Sequence, residues 1–165
     1  MTIDTLKRIL IFLTLCLSQA LVLNRIQLFH CATPLLYVYF VIAFPRSFPK
    51  WAALLWSFSM GFIIDVFSNT PGVASASLTF LGLLQPYLLE LFLPRNAEED
   101  IHSSAASLGW ANFVKLSSLL VVIYCFTFFS LEAFNFFNWM QWLAFAAGSS
   151  VLTLLFIITL ESVRK

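Results

Sequence analysis

Charge is what this sequence has least of: only 10% of its residues are Asp, Glu, Lys or Arg, and the net charge is +1. So small a balance excludes the basic field that polynucleotide binding needs. Glycine is scarce too, at 5 residues, and none builds a Gly-rich phosphate loop or a Gly-x-Ser-x-Gly nucleophile turn. The two histidines, His30 and His102, fall on opposite sides of the membrane in the topology derived below and cannot share a site. The three cysteines, Cys16, Cys31 and Cys125, lie in apolar stretches without metal-ligand spacing and read as small packing residues. No nucleophile has a base in reach, so no catalytic, cofactor-binding or metal-binding residue is assigned, and the chain is expected not to be an enzyme.

What fills the sequence instead is hydrocarbon. Hydrophobic residues make up 61% of the 165, with 19 Phe and 5 Trp among them. A water-soluble globule of this length cannot hide so much apolar surface, which points to lipid as the solvent. The fold class expected is therefore an all-α integral membrane protein, one transmembrane bundle over residues 1–165.

A spanning helix needs about 20 mostly apolar residues to cross about 30 Å of hydrocarbon. Six runs of that kind are bounded by charges or turn residues: 9–23, 29–44, 51–67, 73–93, 108–131 and 138–160. The second is short and carries Pro34 near its start, a place that suits the first turn of a helix. Pro45 and Pro49 separate it from the third, and Asn69-Thr70-Pro71-Gly72 is turn chemistry between the third and the fourth. Ser18-Gln19-Ala20 resembles a signal-peptide cleavage site, but the apolar character continues to Leu23 and the first run reads as a span.

Cationic loops stay on the cytoplasmic side. Six spans with an inside N-terminus put Lys7, Arg8, Arg46, Lys50, Arg95, Lys115, Arg164 and Lys165 in the cytoplasm and leave Arg25 outside. A five-span arrangement without the second run would put Lys7 and Arg8 outside, a poorer split. Trp51 and Trp110 at inner helix ends, with Trp139 and Trp142 at an outer one, suit aromatic belts at both interfaces. The expected location is a multi-pass position in the cytoplasmic membrane, with both termini in the cytoplasm.

Ionisable groups at membrane depth are costly and therefore informative. Asp65 lies near the outer end of the third run, where a carboxylate opposes its own helix dipole. Either it accepts hydrogen bonds from the 69–72 turn and ties two helices together, or it meets a partner or ligand. Glu90 and Lys115 fall at similar depth, near the cytoplasmic ends of the fourth and fifth runs; they form an interhelix pair or snorkel separately to the headgroups. Gln19 and Gln85 are candidates for bonds between helices, and Pro86 should kink the fourth. Ser57 with Gly61, and Ala144 with Gly148, are small pairs at i, i+4 that let backbones approach, within the bundle or in a homodimer. Between the fourth and fifth runs, Asn96 three residues before Glu99 has the spacing of a helix cap, so a short cytoplasmic helix is expected there.

The third and fourth runs together read Ser57-x-x-x-Gly61-x-x-x-Asp65, then Pro71-Gly72, then an apolar stretch through Leu78 and Leu81. This pattern resembles MreD, the rod shape-determining membrane protein family of bacteria, whose third helix is glycine-rich and ends in Asp before a Pro and Gly turn. Ser57 stands where that family often has a first glycine, and Gly72 follows Pro71 directly where a residue commonly intervenes. The resemblance implies a non-enzymatic scaffold of the cell-elongation complex in the bacterial inner membrane. Its implied partners are the single-span protein MreC, the actin-like MreB, RodA and a class B penicillin-binding protein, in the service of peptidoglycan synthesis and cell shape. Ser57, Gly61, Asp65, Pro71 and Gly72 are then the structural or partner-binding motif.

MreD is similar in fold to the substrate-binding subunits of energy-coupling-factor vitamin transporters, which makes such a subunit the alternative. Those subunits usually carry an Ala-x-x-x-Ala docking patch on the first helix, where this chain offers Cys16 and Ala20. A solute carrier is a third reading, but carriers show inverted repeats and paired charges near the midplane, and neither is found here.

Overall fold

A computed structural model describes residues 2–22, 34–93, 105–133 and 138–164. Every regular element among these residues is helical: α1 (Thr2–Leu21), α2 (Val38–Ile42), α3 (Lys50–Ser68), α4 (Val73–Phe92), α5 (Ala105–Leu108), α6 (Trp110–Glu132) and α7 (Trp139–Arg164). Among the described residues three segments are long and apolar enough to cross a membrane: Lys50–Ser68, Trp110–Glu132 and Trp139–Val163. α1 and α4, at 20 residues each, have the length as well. Asp4, Lys7 and Arg8 in the one, and Gln85 and Glu90 in the other, make them more polar.

The bundle is inside-out relative to a soluble protein. Large apolar side chains face outward along every long helix, Leu21 and Leu10 on α1, Trp51 and Phe62 on α3, Leu91 on α4, Phe126 on α6 and Met140 on α7. Polar side chains face inward: Gln19, Ser57, Ser77, Ser117, Ser149 and Thr153 are fully buried, and the carboxylates of Asp65 and Glu161 are each only 5% exposed. In water that arrangement would be costly on both counts; in hydrocarbon the outside costs nothing, and the inside is where polar groups find partners.

Neighbouring contacts fix the directions of the helices. Phe12 packs edge-on against Trp56, with ring centroids 5.5 Å apart, and Cys16 Sγ donates to Met60 Sδ at 3.1 Å, so α1 and α3 run parallel. The chain must come back between them, and residues 34–48 do so. Leu36 N–H donates to the Gln19 side chain near the end of α1, Phe40 packs on Phe12 in its middle, and Phe48 lies under Arg8 near its start. α4 then runs antiparallel to α3, with Ser75 opposite Gly61 and Gly82 opposite Ser57. α7 follows the direction of 34–48, because Leu35 bonds Thr153 and Tyr39 bonds Glu161. α5 sits beside Glu161 at the end of α7, so α6 rises from there back toward the start of α7.

The run expected as one helix over 29–44 is corrected in its described part. From Pro34 to Tyr37 the backbone is not helical, and helix covers only Val38–Ile42. Prolines bound the stretch: Pro34 has no N–H to give to a helix, and Pro45 closes a turn with Phe48 N–H, 3.1 Å from its carbonyl. Irregular backbone inside a bundle is stable only where other groups satisfy it. Gln19 does so twice, its amide nitrogen donating to the Pro34 carbonyl at 2.9 Å and its oxygen accepting from Leu36 N–H at 3.2 Å. Thr153 Oγ1 accepts from Leu35 N–H at 3.1 Å, and the Gln85 amide donates to the Phe44 carbonyl at 3.2 Å. The expected interhelix role of the two glutamines is thus a role toward this broken segment.

The other expected boundaries shift less. α1 begins at Thr2 rather than at Ile9, with Asp4 in its first turn, where a carboxylate suits the helix dipole. The run over 108–131 is cut at its start by Gly109, whose φ of +82° separates α5 from α6. α4 continues through Pro86. α7 extends past Leu160 to Arg164. Cys31, His30, Arg25, Arg95, His102 and the expected cap of Asn96 with Glu99 lie outside the described residues.

Candidate functional site

The residues carrying the sequence motif meet at one place, the hairpin of α3 and α4. α3 ends at Ser68, and Asn69 takes the left-handed conformation, φ 56°, that a helix C-terminus favours. Gly72 precedes α4 with φ 85° and offers no side-chain cap to the new helix. The missing cap comes from Asp65, a full turn back in α3. Its Oδ1 accepts from Ala74 N–H at 2.8 Å and from the Thr70 hydroxyl at 3.0 Å, and its Oδ2 accepts from Ser75 N–H at 2.9 Å. A carboxylate badly placed for its own helix dipole is thereby well placed for that of the next. The 69–72 turn contributes one of the three bonds, and the first turn of α4 contributes the other two.

Close backbone approach makes those bonds reachable. A Cβ added at Gly61 would meet the backbone of Ala74 and Ser75, lying 2.7 Å from Ser75 N. One helical turn earlier Ser57 takes the inner position, with its hydroxyl donating to the Ala53 carbonyl at 2.7 Å, and here the small residue stands on the other helix: a Cβ at Gly82 would lie 2.6 Å from Ser57 Oγ. The hairpin is therefore zipped by Gly61 on α3 and Gly82 on α4. Gly82 was not singled out by sequence; a lone glycine inside a helical run was its only signal. Pro71 and Gly72 are exposed at the tip, and a Cβ at Gly72 would meet nothing within 4 Å, so its requirement is conformational.

Glu90 and Lys115 are both exposed, and no ion pair joins them. Ala144 is exposed and Gly148 half-buried on α7, whereas Ser57 and Gly61 are wholly inside. Cys16 and Cys125 are buried free thiols.

A second carboxylate centre, at the other end of the bundle, escaped the sequence reading. Glu161 lies one residue past the expected end of the last run. Its Oε2 accepts from the Tyr39 hydroxyl and its Oε1 from Ala105 N–H, each at 2.8 Å. Between the two centres the fully buried hydroxyls of Tyr37 and Tyr124 bond each other, their rings edge to face at 5.8 Å. Among the described residues no group of three or more His, Cys, Asp or Glu is placed to hold a metal ion. Comparison of the chain with protein families, with curated proteins and with solved structures gave no match.

Proposed function

We propose that the chain is a non-enzymatic membrane scaffold of the MreD type, one that receives the transmembrane helix of an MreC-like protein and faces the elongation machinery. The observation that carries this reading is the α3–α4 hairpin. The residues that resemble MreD, Ser57, Gly61, Asp65 and the Pro71-Gly72 turn, belong to a single hydrogen-bonded and close-packed unit. Both buried carboxylates are occupied in holding helices to one another, as suits a scaffold whose product is a surface. In this reading Asp65 sets the shape of the outer surface, and the outward apolar faces are where lipid and partner helices compete.

The topology that goes with it has six passes and cytoplasmic termini. Three apolar helices, two further helices of spanning length, and the returning 34–48 segment supply the passes, alternating in direction. Lys7, Arg8, Arg46 and Lys50 gather at the end that would be cytoplasmic, and Asp65 with the 69–72 turn lies at the opposite end. MreB, RodA and a class B penicillin-binding protein are the further partners this function would require.

Detergent co-purification from the native host tests the proposal. Recovery of a single-span MreC-like protein is expected, reduced in the Asp65→Asn variant; recovery of transporter ATPase subunits instead would overturn it.

A further inference from the structure

At the end of the bundle remote from Asp65, two cations stand over aromatic rings and two more neighbour them in sequence. The Arg8 guanidinium carbon stands 4.3 Å from the Phe48 ring centroid, and Lys50 Nζ stands 4.6 Å from that of Tyr87. Arg46 projects from the 45–48 turn between them in sequence, and Lys7 precedes Arg8 on α1; Lys7, Arg46 and Lys50 are all exposed. The acids on α1, α3 and α4 are Asp4, one turn before Lys7 and exposed, Asp65, buried at the far end of α3, and Glu90, one turn past Tyr87 and exposed. Among the described residues no carboxylate forms an ion pair with any of the four cations.

An apolar track begins on α3 at the residue after Lys50. Trp51, next to Lys50, is 72% exposed, and Leu55, Phe58, Phe62 and Val66 continue the same outward face of α3. From Trp51 to Val66 the track is about 22 Å long at 1.5 Å per residue. That exceeds the hydrocarbon depth of one leaflet, about 15 Å. An exposed tryptophan at the junction of charge and hydrocarbon is the residue type found at headgroup level.

We propose that this end is a binding site for an anionic phospholipid, with Arg46, Lys50 and the Lys7–Arg8 pair on the headgroup phosphate and the α3 track against an acyl chain. An amphiphile matches the cations and the track together, whereas a water-soluble acidic segment would match the cations alone. The inference rests on the membrane reading of the bundle and is independent of which protein assembly the chain serves.

The test uses the full chain, delipidated in a non-ionic detergent and titrated with phosphatidylglycerol or phosphatidylcholine, reading retained lipid by native mass spectrometry and the unfolding midpoint. Phosphatidylglycerol is expected to be retained about tenfold better and to raise the midpoint. The Arg46→Gln/Lys50→Gln double variant should lose that preference while keeping its helicity and its phosphatidylcholine binding. The charge-conserving Arg46→Lys/Lys50→Arg double variant should keep the preference, which separates loss of charge from damage to the fold. Equal retention of the two lipids, or a preference that survives in the neutral variant, would overturn the proposal. So would displacement of phosphatidylglycerol by millimolar inorganic phosphate or by poly-glutamate as effectively as by the lipid itself, since the site would then belong to a free anion or an acidic protein.

Discussion

Asp65 and Glu161 are both buried carboxylates that accept hydrogen bonds from the beginning of another helix, yet they differ in what they accept. Asp65 takes two backbone N–H groups, those of Ala74 and Ser75, one on each oxygen, with the Thr70 hydroxyl sharing Oδ1. Glu161 takes one backbone N–H, that of Ala105, and one hydroxyl, that of Tyr39. A backbone N–H can only donate, whereas a hydroxyl can turn and accept. The Asp65 centre therefore demands acceptors on both sides, while the Glu161 centre needs an acceptor on one side only. In a bundle with few polar groups, that difference separates a position requiring a carboxylate from one that tolerates an amide.

Removing each carboxylate should expose the contrast at its largest. Asp65→Ala leaves two buried N–H groups without an acceptor and should destabilise the protein by about 3 kcal/mol or more; Glu161→Ala should cost about 2 kcal/mol. Unfolding in mixed micelles with increasing denaturing detergent, read by circular dichroism, gives both values. If the Glu161 variant were the weaker of the two, the assignment of the hairpin as the principal clasp would fail.

The second contrast lies within the hairpin and concerns room rather than charge. Gly61→Ala drives a Cβ into the backbone of the facing helix and should cost about 2 kcal/mol. Gly82→Ala meets the Ser57 hydroxyl, the end of a side chain that can rotate, and should cost less, with Ser57→Ala/Gly82→Ala recovering part of the loss. Gly72→Ala adds no clash and should cost about 1 kcal/mol through its left-handed backbone alone. Equal effects at the three positions would mean that the helices do not approach as closely as described. Smallest of all, Lys115→Gln and Glu90→Gln, singly or together, should each stay within about 0.5 kcal/mol, since both side chains are exposed and do not pair with each other. A strong coupling between them in a double-mutant cycle would restore the ion pair as an interaction.

The two carboxylates also differ in how far they could be read from sequence. Asp65 bonds residues five, nine and ten positions away, so the turn residues beside it announced its role. Glu161 bonds partners 56 and 122 positions away, and no local pattern joins Tyr39, Ala105 and Glu161. The same rule covers the helices. α3, α4, α6 and α7 were legible because a long apolar run is a local property. The broken course of 34–37 was not, because Gln19 and Thr153 satisfy it from elsewhere in the bundle, and Pro34 alone was equally compatible with a helix start.

The contrast between the two centres comes down to one paired measurement: equilibrium unfolding of Asp65→Asn and Glu161→Gln, side by side in the same micelles. An asparagine at 65 must turn its amide nitrogen toward at least one backbone N–H, and a loss of about 2 kcal/mol is expected. A glutamine at 161 can keep its oxygen on Ala105 N–H and donate to a turned Tyr39 hydroxyl, and the loss should stay below about 1 kcal/mol. Equal losses, or a larger one at Glu161, would contradict the picture of a hairpin clasped by a carboxylate that nothing else can replace.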